Sequence, residues 1–157
     1  MAADKRQIQI TDLKALQPTT VDVTVEVDDD TILVVPMRTL SFARWQAIGY
    51  SVPDPLPPIL NAKADGTVTY DWNNADYRRA LNDASNQRAL RRLVEMIAID
   101  IPGDNEAAKV AYLEGLDNGV LAALVGAMGR LAQGGKHELK ARAATFHPDR
   151  SDAGEGV

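Results

Sequence analysis

Valine occupies every second position in the stretch Thr20-Val-Asp-Val-Thr-Val-Glu-Val27. Successive side chains of a β-strand point to opposite faces, so this alternation is typical of a strand with one buried face. We therefore expect Val21, Val23, Val25 and Val27 to face a core. Three aspartates, Asp28 to Asp30, predict a polar turn, and the apolar run Thr31-Ile-Leu-Val-Val35 predicts the returning strand of a hairpin.

Proline and glycine mark the boundaries of the next elements. Pro36 is expected to end the second strand or to lie on an edge, because it has no amide donor. A short helix is expected to begin at Ser41, whose hydroxyl can accept a bond from a first-turn amide, and to end at Gly49. The four prolines from Val52 to Pro58 then predict a stiff extended linker, with a proline ligand for an aromatic groove as the alternative.

A small hairpin and three helical segments are expected after the linker. Asp65-Gly66 is typical of a tight turn between the two arms of a hairpin over Asn61 to Trp72. Periodicity and capping residues predict helices over Ala75 to Ile99, from a cap at Asp104 to Gly115, and from Asp117 or Asn118 to Gln133-Gly134-Gly135. The sequence thus predicts an α+β fold: an N-terminal antiparallel hairpin or small sheet followed by a mostly α-helical C-terminal part. The parts are residues 1–50 (β-rich with a short helix), 51–74 (linker and hairpin), 75–135 (helical) and 136–157 (a flexible polar tail).

The longest helical segment carries two apolar stripes. At about 100° per residue, two apolar groups lie on sides roughly 140° apart: Tyr77, Ala80, Leu81 and Ala84 on one, and Leu90, Leu93, Val94 and Ile97 on the other. Three explanations stay open: the helix breaks near Ser85-Asn86, it has a broad buried face within one molecule, or its first half packs against another subunit or a partner.

Charge and composition exclude several functions. The formal net charge is −5, and the chain contains no cysteine. A duplex-binding protein needs basic residues to neutralise phosphates, so nucleic acid is not expected as a partner. Without cysteine there is no disulfide framework, thiol nucleophile or thiolate metal site. The N-terminus lacks the apolar stretch of a secretory signal, and the longest uncharged run, between Asp117 and Arg130, is too short to span a membrane.

Residues suited to catalysis or metal binding are few. The two histidines, His137 and His147, lie in the polar tail, and none of the serines stands in a Gly-x-Ser-x-Gly motif. No glycine-rich phosphate-binding motif is present. We therefore expect no enzymatic activity, no cofactor and no metal. One short match remains: the basic stretch from Lys136 and the tripeptide His147-Pro148-Asp149 resemble the basic helix and loop of J-domain co-chaperones.

The order of features along residues 20–133 resembles the tail assembly chaperones of long-tailed, siphovirus-like bacteriophages. The features are the valine hairpin, the segment Arg38-Thr-Leu-Ser-Phe-Ala-Arg-Trp45, the proline linker, the arginine-rich helix and the run Leu116-Asp-Asn-Gly-Val-Leu-Ala-Ala-Leu-Val125. This resemblance implies a non-enzymatic protein of the host cytoplasm that binds the tape measure protein, helps recruit tail tube subunits and is not retained in the mature virion.

Candidate partner-binding residues lie on the long helical segment, where an apolar stripe is flanked by arginines: Tyr77, Arg78, Leu81, Ala84, Arg88, Arg91 and Arg92. Self-association stays open, and neither nucleic acid nor a membrane is expected as a partner. The main alternative function is a structural tail protein of the virion, such as a terminator or connector. A J-domain-like co-chaperone is the second alternative.

Overall fold

The computed structural model describes residues 17–133, and their α+β architecture confirms the fold class expected from the sequence. An N-terminal antiparallel hairpin, β1 (Thr20–Asp28) and β2 (Thr31–Arg38), is followed by helix α1 (Phe42–Ser51). A second antiparallel hairpin consists of β3 (Ile59–Ala62) and β4 (Val68–Tyr70). The helices α2 (Ala75–Met96), α3 (Glu106–Glu114) and α4 (Asn118–Gln133) complete the described chain.

The valine face of β1 forms one wall of the core. Val21, Val23 and Val25 are buried, and α4 packs against this strand. The prediction is wrong for Val27, which is 36% exposed. The pairing register shifts between Glu26 and Asp28, and such a bulge turns the extra residue away from the alternating pattern.

The first helix confirms its predicted start and corrects its predicted end. The Ser41 hydroxyl accepts a hydrogen bond from the Arg44 amide at 3.2 Å. Helix α1 passes through Gly49 and ends at Ser51, because Pro53 disfavours helical backbone at the residue before it. Pro36 does not end β2 but lies within it, opposite Asp22. The sheet has two strands, so β2 is an edge strand, which is the other predicted position for this proline.

Helix α2 is continuous over 22 residues, so a break near Ser85-Asn86 is excluded. It ends at Met96 and not at Ile99, because Ile97 adopts extended backbone and forms a bridge with Met37 of β2. The second half of α2 lies at the centre of the core: Leu90, Leu93 and Met96 are buried, and α1, α3, α4 and β2 surround the helix. Of the first half, no residue is fully buried.

The last two helices begin at side-chain caps. Asn105, and not the predicted Asp104, caps α3 by accepting a bond from the Ala108 amide at 2.9 Å. The predicted cap at Asp117 is confirmed, since its carboxylate accepts bonds from the amides of Gly119 and Val120. Buried α4 residues close the core against β1: Leu124, Ala127, Met128 and Leu131. The predicted stop at Gly134-Gly135, the tail and the His147-Pro148-Asp149 match lie outside the described residues.

Candidate interaction surface

Residues 52–72, which we call the arm, contact α2 at both of their ends. At one end of the arm, the Arg88 guanidinium donates to the Val52 carbonyl at 2.8 Å and to the Asp54 carboxylate at 2.6 Å. At the other end, the Trp72 ring meets the Tyr77 ring edge to face, with centroids 6.0 Å apart. Tyr77 and Arg88 are eleven residues apart on the helix, so the two attachments span about 16 Å.

The hairpin within the arm is held by few contacts. The Asp71 amide donates to the Pro58 carbonyl at 2.8 Å, which closes the base of the hairpin. Every residue of β3 and β4 is exposed, and neither strand packs extensively on another element of the described chain. A lone two-stranded hairpin is marginally stable in water, so its attachments to α2 through Trp72 are what position it.

The arm carries a large share of the exposed apolar side chains. Of the fourteen large hydrophobic residues that are exposed in the described chain, six lie on this short stretch: Leu56, Ile59, Leu60, Val68, Tyr70 and Trp72. Leu56 is 89% exposed and Trp72 is 60% exposed. Scattered apolar residues are normal on protein surfaces, whereas a concentration of this kind is typical of a binding site for another polypeptide.

Leu81 and Ala84 of the predicted partner stripe lie between Tyr77 and Arg88, on the face of α2 that carries both contacts with the arm. Tyr77 is half-buried by its contact with Trp72, and its amide bonds to the Asn74 cap at 3.0 Å. Leu81 and Ala84 are also half-buried, whereas Arg78 is exposed. Three of the four residues therefore lie partly covered, and one of them, Tyr77, contacts exposed Trp72 of the arm.

The remaining predicted residues, three arginines, contact groups within the chain. Arg88 holds the linker as described above, and Arg91 donates to the Ser51 hydroxyl at 3.1 Å. The Arg92 guanidinium lies 4.0 Å from the centroid of the Trp45 ring and donates to the Trp45 carbonyl. Burial, followed by the positive charge of Arg88, lowers the pKa of Arg92. A partner that used these three arginines would have to replace their intramolecular contacts.

Sequence reasoning missed the exposed residues of the arm itself. Leu56 lies in the segment predicted as a linker, and Ile59 and Leu60 lie between that segment and the predicted hairpin, where no helical or strand periodicity indicates a surface. The sequence did contain one indication of this exposure. A proline-rich segment and a two-stranded hairpin have too little secondary structure to bury their own apolar side chains, so these side chains are expected to be exposed.

A second apolar strip lies on the outer face of the N-terminal hairpin. Ile32 and Val34 of β2 are about as exposed as the arm residues, and they pair with Glu26 and Thr24 of β1. This strip therefore has an acidic neighbour on the adjacent strand.

Two further properties concern residues 17–133 alone. None of the helices described there is long and apolar enough to cross a membrane. Within the same range, no group of three or more histidine, aspartate or glutamate side chains is placed to hold a metal ion.

Comparison of the chain with protein-family models, with curated proteins and with solved structures gives no match. We therefore infer function from the residues and surfaces of the chain itself.

Proposed function

We propose that this chain is a tail assembly chaperone of a long-tailed bacteriophage. It acts in the host cytoplasm without catalysis, binds the apolar, helical tape measure protein, helps recruit tail tube subunits and leaves before the virion is complete. Two things support the proposal: the resemblance over residues 20–133 and, above all, the exposed apolar side chains of the arm.

The arm suits a helical apolar partner. An amphipathic helix binds a hydrophobic surface through side chains that recur every three or four residues. The arm offers such a surface along the half-buried stripe of α2, over the span of about 16 Å between Tyr77 and Arg88. About three turns of a partner helix have this length. Several copies along one long helix would add avidity to individually weak contacts.

The test is co-expression with the tape measure protein encoded at the same locus. We expect the wild-type chain to keep the tape measure protein soluble and to copurify with it. The double variant Leu56→Ser/Leu60→Ser should bind at least about tenfold more weakly, because central apolar anchors carry most of the binding free energy of an interface. Both residues are largely exposed, so the variant should fold as the wild type does.

A control is Ile99→Ser, which replaces an aliphatic residue outside the arm that is also exposed. It should bind like the wild type. An insoluble tape measure protein in the presence of the wild-type chain would contradict the proposed function. Equal binding by the double variant and the control would contradict the assignment of the arm.

A second candidate function, a structural tail protein of the virion, is favoured by the outer face of the N-terminal hairpin. Exposed Ile32 and Val34 would form part of a contact between subunits of a ring. Mass spectrometry of purified particles separates the two functions, because a structural protein is abundant in the particle and a chaperone is absent.

A further inference from the structure

Strand β2 has one edge that faces away from β1, and this edge is only partly covered. Val21 of β1 pairs with Met37 on one side of β2, and Ile97 pairs with Met37 on the other side. The segment after α2 therefore covers the end of the edge near Met37. Over residues 31–34, which we call the free edge, no strand of the described chain pairs with this side of β2.

The backbone groups of Ile32 and Val34 lie on the free edge. On the side of β2 where Ile97 lies, the Pro36 carbonyl accepts a hydrogen bond from the Ala98 amide at 2.8 Å. The backbone groups of alternate residues in a strand point to the same side. The amides and carbonyls of Ile32 and Val34 therefore point the same way as the carbonyl of Pro36. Such a row of N–H and C=O groups is a template for pairing with another strand.

Apolar side chains are exposed on both faces of the sheet at the free edge. On the outer face, Ile32 is 59% exposed and Val34 is 62% exposed. Leu33 is 36% exposed although it lies on the core face, where its partner Val25 is buried. A further strand beside β2 would cover all three side chains, because neighbouring strands contact each other on both faces of a sheet.

The charges at the two ends of β2 favour a second copy of this chain as that strand. Residues 31–35 carry no charge, so two copies of the segment can lie side by side without repulsion. The acidic turn Asp28 to Asp30 precedes the segment. Arg38 follows it, is exposed, and takes part in none of the ion pairs of the described chain.

These charges also favour one orientation of the two copies. Antiparallel pairing brings the acidic turn of each copy towards Arg38 of the other copy, and opposite charges on paired strands are stabilising. Parallel pairing would place the two acidic turns together, where like charges repel each other. The charge pattern of β2 is therefore complementary to itself only in the antiparallel orientation.

We propose that two copies of this chain associate through their free edges, antiparallel about a two-fold axis near Leu33, and form one four-stranded sheet. Ile32 of each copy exchanges backbone hydrogen bonds with Val34 of the other, and the two Leu33 side chains lie opposite each other. A two-fold contact closes after two copies, so this arrangement differs from the ring of the second candidate function. It does not depend on the proposed chaperone function, which uses the arm.

Sedimentation equilibrium of the full-length chain tests the association. We expect the mass to rise from one chain towards two as the protein concentration increases. Val34→Lys should raise the dissociation constant of the dimer at least tenfold, because lysine on an edge strand disfavours pairing. A matched control is Leu56→Lys, which adds the same charge at an exposed aliphatic residue of the arm and should dimerise like the wild type. Circular dichroism verifies that both variants remain folded.

A single cysteine locates the contact. The chain contains no cysteine, so Leu33→Cys introduces one thiol per copy, and the two-fold axis places the two thiols on directly opposed residues, as a cross-strand disulfide requires. Thr31→Cys is the matched control, because its two thiols are four positions apart along the paired strands, about 13 Å. We expect disulfide-linked dimers to form at least tenfold faster with Leu33→Cys than with Thr31→Cys.

Four results would overturn the proposal. The first is a mass of one chain at every concentration up to about 1 mM. The second is a mass above two chains, which would identify a larger assembly. The third is equal cross-linking of the two cysteine variants, and the fourth is loss of the dimer in Leu56→Lys, which would place the contact on the arm.

Discussion

The two halves of α2 should respond very differently to the same substitution. Leu93 is 0% exposed and lies at the centre of the core, whereas Leu81 is half-buried beside the arm. Leu93→Ala removes about three carbon atoms from a site enclosed on all sides. Transfer of this apolar material to water costs about 2.4 kcal/mol at 0.8 kcal/mol per methylene, and the cavity raises the total to about 3–5 kcal/mol.

Leu81→Ala should cost about 1 kcal/mol, because part of the side chain is already in water and the site can relax without leaving a closed cavity. Urea denaturation followed by circular dichroism measures both values. With a slope of about 1.5 kcal/mol per molar urea, the midpoint should fall by about 2–3 M for Leu93→Ala and by less than 1 M for Leu81→Ala.

Equal losses in the two variants would refute this account of α2. They would show that the first half of the helix is enclosed as fully as the second half. A repeat at tenfold lower protein concentration identifies the cause, because enclosure by a second copy makes stability depend on concentration and enclosure within one chain does not.

Three further predictions concern local interactions. Asp117→Ala should lower the free energy of unfolding by about 1 kcal/mol through loss of the α4 cap. Asp104→Ala should leave the free energy of unfolding almost unchanged in the same denaturation assay. Equal effects of the two substitutions would contradict the assigned caps. Arg92→Gln should cost about 1–2 kcal/mol and shift the fluorescence of Trp45, because it removes the cation–π contact; an unchanged spectrum would contradict that contact. Hydrogen bonds from the side chain of Thr31 and the amide of Asp30 lower the pKa of Asp28 below its ordinary value of 3.8. Since the folded pKa is the lower one, the carboxylate stabilises the turn above pH 3.8 and loses this effect as the pH falls through the folded value; carbon-detected NMR titration checks it, and an ordinary or raised pKa would contradict it.

Local signals predicted much of the fold. The hydroxyl of Ser41 and the carboxylate of Asp117 bond to amides within three residues, so each helix start depends on a few neighbouring residues. Alternation in β1 is likewise a local signal, and three of the four valines that it predicted to be buried are buried. Val27 escaped the pattern because a bulge depends on how the partner strand pairs, and the residues of β1 alone do not contain that information.

The candidate site was predicted in part. The apolar stripe of Tyr77, Leu81 and Ala84 is visible in the sequence as a helical periodicity distinct from that of the core. The arm that borders this stripe was not foreseen as a surface. Its position depends on two contacts, Arg88 with Val52 and Trp72 with Tyr77. Arg88 and Val52 are 36 residues apart in the sequence, so no local pattern indicates that they meet.

The sequence by itself determined the element types, most helix starts and the existence of two stripes on α2, because these depend on residues a few positions apart. Only the tertiary structure decided that the Leu93 stripe is enclosed and the Leu81 stripe is left beside an exposed arm. Both stripes are apolar, but only a stripe over which several distant segments pack becomes fully buried. For Leu93 these segments are the valine sheet, α3 and α4, whereas the proline-rich arm has too little packed structure to enclose Leu81.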